Sequence, residues 1–217
     1  MIDVLFVSAR PTTGALALLT AKGATTERTG GEPDARGLQA AALLARFEGE
    51  AGTLAEHVDS SGAPRRMLLV GTGGGSEHDM VKAGSALTAR LLVSGDVEVA
   101  LDAARLTPAQ SVALLEGAVL RSWRHDTYRT KLPEAQKPTL KQITLVSAPD
   151  GTEAAWARRA AVARGVAFTR ALVTEPANVI SPESFVDRCR ALTELGIEIE
   201  VLGEDAMREL GIRNYWA

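Results

Sequence analysis

The chain has 217 residues, 46% hydrophobic and only 4% aromatic, so a core must be built mainly from Ala, Leu and Val. A formal net charge of −3 gives no electrostatic reason for an obligatory nucleic-acid or acidic-membrane partner, and the single cysteine, Cys189, excludes an intrachain disulfide and a multi-cysteine zinc site. The opening Met1-Ile-Asp-Val-Leu-Phe lacks the basic start and apolar stretch of a signal peptide, and no apolar run reaches the ~20 residues that span a bilayer, so a cytoplasmic protein with no membrane partner is expected.

Residues 2–7 form a short β-branched apolar run that predicts a strand, and Ala15–Thr20 (ALALLT) predicts another. Residues 21–37, rich in Gly, Thr and charge, read as a loop that leads into an Ala/Leu helix over 38–47. Residues 66–70 (RMLLV) read as a buried strand ended by the glycine run Gly71-Thr-Gly-Gly-Gly75. Ser76 caps the next helix with Asp79 three residues on, and Met80, Gly84, Leu87 and Leu91 make one apolar stripe.

Residues 97–101 alternate as a strand does. Thr107-Pro108-Ala109-Gln110 is a helix start, with Thr as cap, Pro at the first position and Gln at the third. Val112, Leu115, Val119 and Trp123 continue that helix on one face. Residues 140–147 supply another strand, and Thr152–Thr174 reads as a long Ala-rich helix stopped by Pro176, which lacks the N–H and clashes with the preceding turn. Ser181-Pro182-Glu183 opens a helix with Phe185, Cys189 and Leu192 facing inward, ended by Gly196. Ile197-Glu-Ile-Glu-Val201 alternates strictly and predicts a strand, followed by a short helix through Met207 and Leu210. Interleaved helices and strands predict a sheet with helices on both faces. Residues 176–217 hold too little to bury a core alone, so the partners of their one strand are expected in sequence outside this chain.

Chemistry-bearing patterns are incomplete. The glycine run has no lysine at phosphate-loop spacing, and the dinucleotide pattern fails at Ser76, so a glycine-requiring turn is the better reading than an anion seat. His57, His78 and His125 share no metal-ligand spacing. Neighbouring residues Glu77, His78 and Asp79 point about 100° apart on a helix and cannot converge on an ion. Cys189, at helical spacing from Phe185 and Leu192, reads as a small core residue. The stretch 121–131 is the one basic patch with aromatics, and Arg121, Arg124, Arg129 and Lys131 are the candidate nucleic-acid contacts; cations at a helix C-terminus are the plainer explanation.

Several segments together resemble the leucine (cytosol) aminopeptidase family of metallopeptidases. The strand through Gly71 and the helix carrying Lys82-Ala-Gly84 are similar to the family's central strand and following helix, and Glu116-Gly-Ala-Val-Leu120 with Tyr128-Arg-Thr-Lys131 is similar to its "EGA…Y+TK" helix and exit. Arg170-Ala-Leu-Val-Thr-Glu-Pro-Ala-Asn-Val-Ile-Ser-Pro-Glu183 resembles the "R-x-L-x-N-E-P-A-N-x-x-T-P-E" junction, with Thr174 for Asn and Ser181 for Thr. Met207-Arg-Glu-Leu-Gly-Ile, running into Tyr215-Trp-Ala217, resembles its "M-x-x-L-G-M…Y-L-A" segment.

The resemblance implies an α/β fold with a macro-domain-like mixed sheet over residues 1–151, a linker helix over 152–175, and over 176–217 the opening of an incomplete second α/β domain, the peptidase domain. It implies a parent enzyme, a homohexamer, that removes N-terminal residues from peptides with two divalent cations, Mn or Zn. The family's metal-binding motifs, written roughly "G-K-G-x-T-F-D-[ST]-G-G", "D-M-x-G-A-A" and "N-T-D-A-E-G-R", do not occur in these residues. No catalytic, cofactor-binding or metal-binding residue is therefore assigned, and the chain alone is expected to be inactive. A DNA- or nucleotide-binding module of macro type is the alternative.

Overall fold

A computed structural model describes residues 1–24, 34–60 and 62–212. Its strands are β1 (Asp3–Val7), β2 (Ala15–Thr20), β3 (Leu54–Asp59), β4 (Arg65–Gly71), β5 (Glu98–Asp102) and β6 (Gln142–Val146). The helices are α1 (Ala35–Leu44), α2 (Glu77–Leu91), α3 (Pro108–Ser122), α4 (Thr152–Thr174), α5 (Pro182–Arg190) and α6 (Glu204–Glu209), with 3-10 turns at Glu134–Gln136 and Ala191–Leu195. By packing, the chain divides into two compact units, Met1–Ala167 and Phe168–Ala217, and the division falls inside α4.

In the first unit the six strands form one mixed sheet in the order β1-β6-β5-β2-β4-β3. All neighbours are parallel except β3 and β4. A parallel sheet needs cover on both faces, which is why β2 and β4 read as continuous apolar runs. Alternate residues serve opposite layers. Ala15, Ala17, Leu68, Val70, Leu101 and Leu145 meet Met80, Leu87, Leu114 and Trp156 from α2, α3 and α4. Leu16, Met67, Leu69, Ala100 and Val146 meet Leu38 and Ala42 of α1. Among the described residues twelve large side chains are almost wholly removed from water, and burying each such leucine or isoleucine contributes roughly 1.5–3 kcal/mol.

Helix α2 starts on a reciprocal Ser76/Asp79 capping box and α3 on a Thr107/Gln110 box with Pro108 at its first position, as their sequences predict. The two helices cross at contact distance because Gly84 and Gly117 carry no side chain: a Cβ at either position would overlap backbone of the other helix, at the carbonyls of Leu114 and Val81.

Four expectations need correction. Strand β3 lies in residues for which no element was expected; its polar and apolar residues alternate weakly, and pairing with β4 makes it a strand. Helix α1 starts at Ala35, inside the expected 21–37 loop, because Asp34 caps it by accepting from the Gly37 N–H; the rest of that loop at 25–33 lies outside the described residues. Residues 197–201 form no strand among the described residues, since no neighbouring strand completes their hydrogen bonds. In the second unit no described residue is buried as a whole, Phe185 is 46% exposed and Cys189 is half-buried, so that face of α5 is not a core face. The Tyr215-Trp-Ala217 ending also lies outside the described residues.

Candidate functional site

The glycine turn after β4 is where this architecture would present backbone N–H groups to an anion, at the N-terminus of a 15-residue helix. Every N–H from Gly71 to Ser76 already has a protein acceptor. Gly71 donates to the Thr53 carbonyl, Thr72 to Thr20, Gly73 to Gly49 and Gly75 to Thr72. Gly74 and Ser76 both donate to Oδ2 of Asp79, at 3.2 and 3.3 Å. Those bonds hold the Asp79 carboxyl below its usual range, the Ser76 side chain contributing most and burial opposing it. The Gln110 side chain also donates to the Gly75 carbonyl at 2.8 Å, tying the turn to the start of α3. The Asp79 carboxylate thus takes two of the N–H groups that the turn would offer to an anion.

The basic stretch leaves the end of α3. Arg121 and Lys131 are exposed, while Arg124 donates to Asp126 at 2.5 Å and Arg129 lies 3.7 Å from the same carboxylate. Trp123 stacks on His125 with centroids 6.2 Å apart, and Tyr128 is tilted against the same ring with centroids 5.6 Å apart. The aromatics therefore contact one another, and Asp126 neutralises part of the patch.

The histidines stay apart. His57 Nε2 and Asp34 Oδ2 are 2.5 Å apart, a pair that joins β3 to the start of α1. That bond is the main reason the Asp34 carboxyl is lowered, with the Gly37 N–H second. A Cβ at Gly37 would overlap the imidazole, so the His57 ring would have to shift to admit one. Sequence reading missed this pair, since its partners are 23 residues apart. His78 is exposed on the first turn of α2. Among the described residues no three His, Cys, Asp or Glu side chains come together as a metal-binding group, so the residues present do not fit a two-cation centre.

The junction residues do meet. Glu175, just past α4, accepts from Arg188 of α5 at 2.7 Å, and its side chain is only 6% exposed. Val179 and Ile180 both donate to the Pro176 carbonyl, closing the turn between the helices. Ser181 caps α5, and its side chain holds the Glu183 carboxyl below the usual range.

No protein-family model matches the chain. Among curated proteins, a probable cytosol aminopeptidase of Rhizobium johnstonii is 33% identical over 97% of this chain and 45% of its own length. One from a Bradyrhizobium strain is 35% identical over 81% of this chain and 37% of its own length. The chain thus spans less than half the length of these relatives. Among solved structures, a tomato leucine aminopeptidase mutant superposes with a TM-score of 0.78, at 20% identity, over 97% of this chain and 46% of that one. The bottromycin maturation enzyme BotP in complex with Mn gives 0.68 at 23% identity, covering 92% and 40%. At that identity the two structures report the fold.

Proposed function

Because this chain belongs to the cytosol aminopeptidase family, as the N-terminal portion of its longer members, we propose that it is the assembly and regulatory part of an enzyme that removes N-terminal amino acids from peptides. The single observation behind this reading is the match to a probable cytosol aminopeptidase along 97% of the chain. Two divalent cations, Mn or Zn, would acidify a bridging water and polarise the scissile carbonyl in such an enzyme. Among this chain's described residues no three His, Cys, Asp or Glu side chains group to hold the cations, and no step of that chemistry is assigned to these residues. Their part is to fold into a scaffold for the remaining peptidase portion, with α4 as the linker and residues 176–217 as that portion's opening. A homohexamer in the cytoplasm is the proposed setting; no helix among the described residues is long and apolar enough to cross a membrane.

The nucleotide- and DNA-binding alternative is not favoured. The glycine turn's N–H groups have internal acceptors, and Asp126 offsets the basic stretch.

An assay with a leucine anilide and added Mn²⁺ tests the reading. The purified 217-residue chain is expected to give no turnover above background. The same chain joined to the remaining portion of the Rhizobium johnstonii relative is expected to give Mn²⁺-dependent turnover. Hydrolysis by the chain alone, or none by a folded joined protein, would overturn it.

A further inference from the structure

We propose that β1 is an interface strand, at which a second copy of this chain pairs antiparallel about a two-fold axis beside Leu5. The proposal does not rest on the aminopeptidase reading. The ladder to β6 uses every second residue of β1. The Asp3 N–H donates to the Lys141 carbonyl and the Val7 carbonyl accepts from the Ser147 N–H, both at 2.8 Å. By the same alternation the backbone groups of Leu5 face β6. Those of Val4 and Phe6 therefore point away from β6, and among the described residues no strand lies beyond β1 to take them. The strand is still held in place, because the Val4 and Phe6 side chains pack against the core under the helices. Leu5, on the other face, is 46% exposed.

An apolar edge of this kind invites another strand unless it is guarded. The opposite edge of the sheet is guarded: β3 carries Glu56, His57 and Asp59, and Glu56 is tied to Arg66 and Arg90. In β1 the only charge is Asp3. A second copy fits this edge because the edge is complementary to itself. Among antiparallel registers, only the one centred on Leu5 opposes all five residues of β1 to all five of its mate. That register makes Val4 and Phe6 the reciprocal hydrogen-bonded pairs, and theirs are the groups that point outward. Leu5 then meets Leu5 of the second copy, and Asp3 meets Val7, so no like charges are opposed. Each copy has one such edge, so pairing consumes it and stops at two. One strand pair buries less than the roughly 1,200–2,000 Å² of a standard interface, so the dimer is reversible.

Sedimentation and hydrogen exchange on the 217-residue chain test this. The dilute chain should be monomeric, with the Leu5 amide protected and those of Val4 and Phe6 exchanging freely. Toward about 1 mM it should become a dimer, and the Val4 and Phe6 amides should slow by at least about tenfold. Leu5→Lys and Leu5→Glu each oppose like charges at the axis and should weaken the dimer about tenfold, whereas their equal mixture should pair more tightly than either alone. A chain that stays monomeric with those amides free would overturn the proposal, and so would a dimer indifferent to charge at Leu5. Protected Val4 and Phe6 amides in a monomer would also overturn it, because another segment of the same chain would then cover the edge. If either variant fails to fold, the unaltered chain decides: slowing of Val4 and Phe6 with concentration sustains the pairing, and its absence overturns it.

Discussion

Gly84 of α2 and Gly117 of α3 form a reciprocal notch: each leaves room for backbone of the other helix, Gly84 for the Leu114 carbonyl and Gly117 for that of Val81. The Ser85 hydroxyl donates to the Gly117 carbonyl at 3.0 Å across the same crossing. Backbone that close brings Ala83, Leu87, Leu114 and Ala118 into one fully buried layer over the sheet. This gives a physical account of two glycines that the sequence sets inside helices, where glycine is otherwise costly.

Replacing either by alanine should therefore destabilise the chain. Overpacking a rigid contact costs about 1–3 kcal/mol, against about 1 kcal/mol returned by alanine's better helix propensity. The atoms in the way are backbone, which cannot rotate aside, so the upper part of that range applies. Urea unfolding should show a lower midpoint for Gly84→Ala and Gly117→Ala, and a non-additive double variant because both open the same crossing. Gly165 in α4 is the control: nothing lies within 4 Å of a Cβ there, so Gly165→Ala should stabilise by up to about 1 kcal/mol. Equal effects at all three positions would refute the notch.

Acid should loosen two further joints. Asp79 and Asp34 both have folded values below the 3.8 of a free aspartate, lowered chiefly by the Ser76 side chain and by His57. A depressed carboxylate contributes stability that is present above its unfolded value and is lost as pH falls through its folded value. Stability should thus decline below about pH 4, and less steeply in Asp79→Asn and Asp34→Asn, whose midpoints should be lower at neutral pH. Parallel acid limbs in the variants and the parent chain would show that neither group contributes.

Local chemistry made some elements readable and left others hidden. Strand β2 was expected at its observed limits because an apolar run between Gly14 and the charged stretch after Thr20 has no competing pattern. The starts of α2 and α3 were legible because a capping box acts within four residues. Strand β3 and residues 197–201 show the opposite limit. The first has a poor pattern and is a strand because His57 faces Met67 and Ala55 faces Leu69 across a ladder. The second has a strong pattern and lacks a neighbour. Strand formation is decided by pairing, which one segment's sequence does not contain. The Asp34–His57 pair was hidden for the same reason.

Binding experiments should return little signal from the first unit. Calorimetric titration with ADP-ribose is expected to be flat, since Gly74 and Ser76 already donate to Asp79. Of the four basic candidates, Arg124 and Arg129 face Asp126, which leaves Arg121 and Lys131 for phosphates. Any binding of duplex DNA should then be weak, with a salt dependence equivalent to no more than about two phosphate contacts. A steeper dependence, lost on replacing Arg121, Arg124, Arg129 and Lys131, would restore the nucleic-acid reading.

The Glu175–Arg188 pair should govern the order of α5. A nine-residue helix is shorter than the ~12–15 residues at which isolated helices become even marginal in water. Its Ser181 cap and the bond to Glu175 must therefore supply much of the restraint, because none of its residues is buried. Arg188→Ala leaves a carboxylate whose side chain is 6% exposed without this partner. Losing a hydrogen bond to a charged group costs about 1.5–3 kcal/mol, which a 36%-exposed arginine reduces to about 1–2 kcal/mol through solvent screening. Amides of α5 should then exchange roughly tenfold faster, because 1.4 kcal/mol corresponds to a factor of ten. Glu175→Gln should do less, as its amide oxygen still accepts from the guanidinium. Unchanged α5 exchange in Arg188→Ala would show that the Ser181 cap and the Pro176 turn hold the helix without the ion pair.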